Sequence, residues 1–413
     1  MGIGKKIMQN KHDLISILDK ASLWSLYLFI FCLSFSKSII EITITIAIIC
    51  FFIKKALKKE AAFEKTSLNT AFLVFILSIL PSFFNTYNIF FSLKALVSKN
   101  LKYLLLVIIM TDIINDKERM KDLLIISLIT GIVTIINAFI QYHVTHIDLL
   151  HNYVSFKYVE PWKMDRFIGF PTASFPYPND FAAWILIFLL PGIASLFMAD
   201  LRAQTKLLYG FFTAPLFYLL MLTKARAAWL GFFAGLIFLL FFRLKKAVLS
   251  FMLILFMIYF AFNIQIAKYT LQLGSVSDRY TMWRNSWAIF KEHPVVGNGI
   301  NTFFEKYKNV RNDEFKNKRG SYAHNCFLQQ AADTGVVGLL GFLYFLFVFF
   351  RSTITRTLGL KNEYYRVFNL GLAAGILGFL IHSFFDTNLY SLPLAALFWF
   401  AVGLSQAALN IYE

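Results

Sequence analysis

Residues 326–350 read CFLQQAADTGVVGLLGFLYFLFVFF, with Asp333 as the single charged side chain. A helix rises about 1.5 Å per residue, so this stretch is long enough to cross the roughly 30 Å hydrocarbon core of a bilayer. The polar SYAHN at 321–325 precedes it and the basic RSTITR at 351–356 follows it. Outward from it, comparable apolar runs recur along most of the chain. They predict about twelve spans, near residues 21–36, 39–53, 68–84, 101–114, 122–142, 179–198, 207–222, 227–242, 247–266, 326–350, 367–385 and 389–409. Those at 21–36, 39–53 and 101–114 are short enough to be tilted or partly re-entrant. The runs are continuous rather than alternating, which excludes a closed β-barrel and makes an all-α polytopic membrane protein the expected fold class. Composition agrees. The 413-residue chain is 58% hydrophobic and only 15% charged, whereas a soluble globular chain carries about a quarter charged residues.

The formal net charge is +17. Alternate short loops hold the cations: Lys54, Lys55, Lys58, Lys59 and Lys65, then Lys117, Arg119 and Lys121, Arg202 and Lys206, Arg243, Lys245 and Lys246, and Arg351, Arg356, Lys361 and Arg366. That bias places both termini and these loops in the cytoplasm. The loops at 143–178 and 267–325 then face outward. The remaining positive charge suits anionic lipid headgroups or phosphate. It is spread over many short loops, which argues against a nucleic-acid partner. There are three cysteines, Cys32, Cys50 and Cys326; Cys50 falls near the cytoplasmic end of a span and Cys326 near the outer end of another, so no disulfide framework is expected. The basic start MGIGKKIMQNKHDLISILDK enters the first span with no small-residue cleavage site, and no cleavable signal peptide is expected. The chain reads as one membrane domain over 1–413 with a large outward loop at 267–325 between the ninth and tenth spans. Within that loop, Tyr280, Trp283, Trp287 and Ile289 fit a helical spacing, as do Phe303, Phe304 and Tyr307. Such helices would lie on the membrane surface and cap the bundle.

This topology brings several polar groups to one membrane face. Arg226 begins the eighth span just after Lys224, His324 and Asn325 precede the tenth, and Asp386 ends the eleventh with His382 one turn before it. Asn179 and Asp180 begin the sixth span, Arg166 lies in the loop before it, and Arg279 and Arg284 lie in the large loop. Guanidinium groups match phosphate oxygens as a fork and keep their charge when partly desolvated. A histidine near neutrality can take a hydroxyl proton. Together they suit transfer of a group from a phosphate leaving group to an alcohol, with arginine stabilising the charge that develops. The blander readings are a helix-capping histidine, arginines that snorkel to headgroups, and an Asp386–His382 pair closing a helix end. The one close carboxylate pair, Asp116 and Glu118, falls on the cytoplasmic side, and His143, His146 and His151 lack the spacing of a familiar metal site. No metal and no other cofactor is expected. Pro294, Gly297 and Gly299 fit a tight turn better than a phosphate cradle.

The runs RFIGFPTASFPYPNDFAAW (166–184), TKARAAWLGFFAG (223–235), SDRYTMW (277–283) with HPVVGNGINTF (293–303), AHNCFLQQAADTGVVGLLG (323–341) and HSFFDTNLYSLPLAALFW (382–399) resemble, in order and spacing, the O-antigen ligase and polymerase superfamily, most closely its ligase branch. The resemblance covers about residues 166–404. It implies a GT-C-like, metal-independent, inverting glycosyltransferase of the bacterial inner membrane with a periplasmic active site. The donor would be an undecaprenyl-pyrophosphate-linked glycan and the acceptor the lipid A–core oligosaccharide, as in lipopolysaccharide assembly. By motif position His324 matches the family's general base, Arg226 and Arg279 its pyrophosphate-holding arginines, and Asp386 an acidic position. Arg284, Arg166, Lys224, Asn325 and Asn179 are expected around the substrate. Two rival readings are an O-antigen polymerase and a lipid-linked glycan transporter without chemistry, which would have little use for His324.

Overall fold

The computed structural model describes residues 2–61, 66–151, 170–198, 201–243, 273–310 and 322–413. The described residues form helices joined by short turns. They are α1 (Gly2–Cys32), α2 (Lys37–Lys58), α3 (Ser67–Ile79), α4 (Ile89–Ala95), α5 (Lys102–Ile113), α6 (Lys117–Ile140), α7 (Pro178–Leu196), α8 (Ala203–Thr223) and α9 (Arg226–Arg243), followed by α10 (Leu273–Glu292), α11 (Phe303–Val310), α12 (Cys326–Gly359), α13 (Glu363–Ser383) and α14 (Leu392–Tyr412). Eight of the described helical stretches are long and apolar enough to cross a membrane, and Arg226–Phe242 is a shorter apolar one. The protein is an all-α, multi-pass membrane protein. Eleven of the twelve expected spans coincide with described helices, and the ninth, at 247–266, lies outside the described residues.

Polar side chains set the helix starts. Asn88, Asp116, Asn325 and Asn362 each stand in extended backbone and accept from amides of the first turn of α4, α6, α12 and α13. The short fourth span has a physical explanation. Helical backbone runs from Ile89 to Ile113, but a π-helical turn at Leu96–Leu101 interrupts it and carries Lys99. At one end of the bundle the Lys54 ammonium is buried and donates to Asp19 (3.0 Å) and Asp112 (2.6 Å). Arg119 donates to the other oxygen of Asp19 at 2.7 Å. This network ties the middle of α1 to the ends of α2, α5 and α6. Asp116 joins it by pairing with Arg119 and also caps α6, whereas its neighbour Glu118 is exposed.

α13 stands between α7 and α9 and packs along both. Its stripe Gly371, Gly375 and Gly378 lets backbones meet. A Cβ on Gly378 would come within 2.7 Å of the Gly231 carbonyl oxygen, and one on Gly375 within 3.0 Å of the Leu186 carbonyl oxygen. Small residues on facing helices give the close approach that lipid-embedded packing depends on. The same contacts fix the register. Gly378 lies opposite Gly231 and Gly371 opposite Pro191, so α13 runs antiparallel to both neighbours. The end of α13 therefore arrives beside Arg226, at the start of α9, and Asn179, at the start of α7.

The large loop is spliced into α12. Gly335 breaks that helix with φ +68°, a left-handed conformation that suits glycine. Helix geometry would send the amides of Val336 and Val337 to the carbonyls of Ala332 and Asp333. They go instead to the carbonyls of Pro294 (2.8 Å) and Val295 (3.2 Å). The freed Ala332 and Asp333 carbonyls accept from Asn298 (3.1 Å) and Gly299 (2.9 Å). These four backbone groups at the break find partners in residues 294–299, as burial demands. This accounts for Pro294, Gly297 and Gly299 as a turn. The Gly297 amide is likewise occupied, by the His293 carbonyl at 2.8 Å.

The helices expected in the loop are present as α10 and α11. Met282, Asn285, Ser286 and Ile289 are buried, whereas Tyr280 and Trp287 are exposed. Aromatic side chains at a membrane surface gain from the headgroup region, so their spacing does not mark the inner face. A Gly378→Val substitution should push α9 away from α13 and lower the thermal unfolding midpoint of the purified protein, at a cost of about 1–3 kcal/mol. Gly359→Ala, where an added Cβ meets nothing within 4 Å, should leave the midpoint unchanged.

Candidate active site

At the end of the bundle away from the Lys54 network, His324 and Asp386 meet. His324 precedes α12 in a left-handed conformation, φ +47°. Its Nδ1 lies 3.1 Å from Asp386 Oδ1. A carboxylate oxygen accepts, so Nδ1 carries the proton and Nε2 is left with its lone pair. The imidazole is about one-third exposed at 36%, whereas the Asp386 side chain is 9% exposed. The imidazole is partly open and the carboxylate is covered.

Asp386 sits just beyond α13 and gathers further donors. Thr387 N donates to Oδ1 at 2.9 Å and Asn179 Nδ2 to Oδ2 at 2.8 Å. Arg279, from α10, places Nη2 3.9 Å from the same Oδ2. Burial pushes the Asp386 carboxyl up, but the hydrogen bond and charge of His324, with the charges of His382 and Arg279, reverse this and hold it well below the usual carboxylate range. The group is therefore ionised at neutral pH and stabilises positive charge on His324.

Arg226 opens α9 directly after a tight turn in which Lys224 is left-handed, φ +51°. The α9–α13 register brings this turn to the Asp386 end. Both side chains are exposed, and Lys224 lies over the Phe170 ring at 5.4 Å. Arg226 and Lys224 thus lie at the same end of the bundle as Arg279 and the one-third-exposed histidine, and cations at such an end can hold an anionic group.

Some sequence-derived candidates are placed elsewhere or otherwise engaged. Arg284 is exposed, and the helical repeat turns it about 140° round α10 from Arg279. Asn325 is buried, and its side-chain oxygen accepts from the amides of Phe327 (3.0 Å) and Leu328 (2.9 Å), so it caps α12. Arg166 lies outside the described residues. The expected His382–Asp386 pair is not a hydrogen-bonded one. Asn388 Nδ2 donates to His382 Nδ1 at 2.8 Å, and His382 is fully buried. His143 stacks on Tyr218 with ring centroids 6.0 Å apart, and His151 lies 3.4 Å from Asp148.

Two features of the site had no sequence signal. His324 and Asp386 are 62 residues apart, and nothing local pairs them. Trp283 was visible as a helical aromatic but not as a neighbour of the site. Its Nε1 donates to the His324 carbonyl at 3.2 Å, and its ring lies 6.1 Å from those of Phe384 and Phe385.

Residues 211–343 match the family model described as O-antigen ligase. The matched region includes Lys224, Arg226, Arg279, Arg284, His324 and Asn325, while Asn179 and Asp386 lie outside it. No curated protein matches the chain.

Because Asp386 is ionised in the folded protein with a lowered pKa, its contribution to stability is fully present above the ordinary value of 3.8 and is lost as pH falls through the folded value. Wild type should therefore melt above Asp386→Asn by the same margin at pH 7 and pH 5, roughly 1.5–3 kcal/mol for hydrogen bonds to a charged group. The margin should shrink only below about pH 4. Thermal unfolding of both proteins across that range measures it.

Proposed function

We propose that the chain is an O-antigen ligase-type glycosyltransferase, a reading supported by the match of residues 211–343 to the O-antigen ligase family model. It would move a glycan from undecaprenyl pyrophosphate to the lipid A–core oligosaccharide at the periplasmic face of the bacterial inner membrane. The observation that carries the reading is the His324–Asp386 contact, with Arg279 beside it. A transporter would use the cations but has no need of a base held by a buried carboxylate.

In this reading His324 Nε2 takes the proton of an acceptor sugar hydroxyl. The oxygen attacks the anomeric carbon from the face opposite the pyrophosphate. The bond from that carbon to the pyrophosphate oxygen breaks, and its electron pair leaves with undecaprenyl pyrophosphate. The stereochemistry inverts. Asp386 keeps the proton on Nδ1, so that Nε2 is the basic nitrogen, and stabilises the imidazolium once it forms. Arg226 and Arg279 stabilise the charge on the departing pyrophosphate. Arginine forks suit this task better than lysine, because two parallel N–H groups meet two phosphate oxygens. Lys224 and Asn179 border the same space, with Asn179 fixing Asp386 rather than the glycan.

Reconstitution of purified protein with undecaprenyl-pyrophosphate glycan and lipid A–core, with chelator present, should yield lipopolysaccharide of higher mass. His324→Ala should abolish the product, and Arg279→Ala should reduce the rate about 10²–10³-fold. Glycan that lengthens on its lipid carrier while the core stays unmodified would reassign the protein as a polymerase. Normal transfer by His324→Ala would overturn the catalytic role of that residue.

A further inference from the structure

His324 occupies backbone space that a residue with a Cβ enters at a cost, since φ is +47°. Such a conformation persists where the surroundings over-determine it, and the groups that do so are visible. On the C-terminal side of His324 its carbonyl accepts from Trp283 Nε1 at 3.2 Å. On the N-terminal side the amide of Ala323 donates to Gln329 Oε1 at 3.0 Å. Ala323 is fully buried and Gln329 is 2% exposed, so neither group of that second bond has water as an alternative partner. The amide of Gln329 in turn donates to the Asn325 carbonyl at 3.0 Å, which roots it in the first turn of α12.

Trp283 also spans elements. It lies one turn beyond Arg279 on α10, so the two share a face. Its ring packs on Phe384 and Phe385, the two residues before Asp386. A single side chain therefore touches the backbone of His324 and the approach to its carboxylate partner, from the helix that supplies the arginine.

We propose that Trp283 and Gln329 are positioning residues for His324: they hold the peptide that follows it and the peptide one residue before it, keep its backbone left-handed, and so aim the imidazole at Asp386 on one side and at the acceptor on the other. The inference rests on the transferase reading for the consequence of that aim, though not for the clamp itself.

The test uses the full-length protein in detergent with Trp283→Phe and Gln329→Met. Phenylalanine keeps a ring against Phe384 and Phe385 and removes the N–H. Methionine keeps the length of the glutamine and removes the acceptor. Each variant should lower kcat for glycan transfer about threefold to tenfold, the effect of one neutral hydrogen bond, with KM for the lipid-linked donor unchanged. The pH midpoint of kcat should shift in both, because the imidazole no longer meets Asp386 squarely. Modification of His324 by diethyl pyrocarbonate, followed on its own peptide by mass spectrometry, reads the same change without any substrate, and its rate should differ from wild type in both variants. Unchanged kcat together with unchanged His324 reactivity would overturn the proposal. So would a fall in kcat matched by an equal loss of folded protein with His324 reactivity unaltered, since that assigns the two side chains to stability alone. If wild-type protein transfers no glycan, the transferase reading fails, and the reactivity measurement still decides the clamp.

Discussion

Backbone meets backbone along α13. With glycine at 371, 375 and 378, this helix has no side-chain layer to separate it from α7 and α9 at those contacts. In a hydrocarbon solvent, helices gain little from burying apolar side chains against each other, because the lipid is equally apolar. Close approach and dispersion replace that driving force. A contact between main chains also has little freedom to slide, because side-chain rotamers are not available to absorb the shift. The position of the α13 terminus is therefore set by the packing below it, and Asp386 inherits that position. Asn179 and Arg226 begin the two helices that flank α13, so the same interface fixes all three.

The electrostatics follow from this placement. A carboxylate buried alone would protonate. Asp386 stays ionised because four groups from four parts of the chain converge on it: His324, Asn179, Arg279 and its neighbour Thr387. The arrangement is asymmetric. The carboxylate is covered and the histidine half-open, so the rigid member of the pair lies inside and the member with a free lone pair faces out. That ordering suits acid–base chemistry, in which the orienting group stays fixed while the other exchanges a proton with a visiting molecule.

The spans were legible because a bilayer imposes a length and a polarity that continuous apolar runs satisfy, and the caps at Asn88, Asp116, Asn325 and Asn362 follow local rules. The gathering of Arg226, Arg279, His324, Asn179 and Asp386 at one end was legible from loop charge, since alternating spans carry each group to a defined face. What sequence could not show is which of these groups touch. The pairing of His324 with Asp386, rather than of Asp386 with the nearby His382, depends on how α12 and α13 pack. The left-handed backbone at His324 has no signature in residue type. Sequence also does not show which face of α10 packs inward, because exposed aromatics are common at membrane surfaces. Its burial is set by Ser286 and Asn285 as much as by apolar side chains.

The splice between residues 294–299 and the break at Gly335 bears on how a large lipid-linked molecule reaches this site. Four backbone hydrogen bonds of α12 are completed by the loop. Lifting the loop would strip those partners from a helix at the edge of the bilayer, where water is scarce and each orphaned group is costly. The loop is thus part of the wall. An opening movement has to leave residues 294–299 in place and pivot about them, and the turn at Gly297 and Gly299 becomes a fixed hinge-post. In the proposed transferase a lipid-linked donor would then enter sideways, from within the membrane plane, instead of downward through a lifted cover.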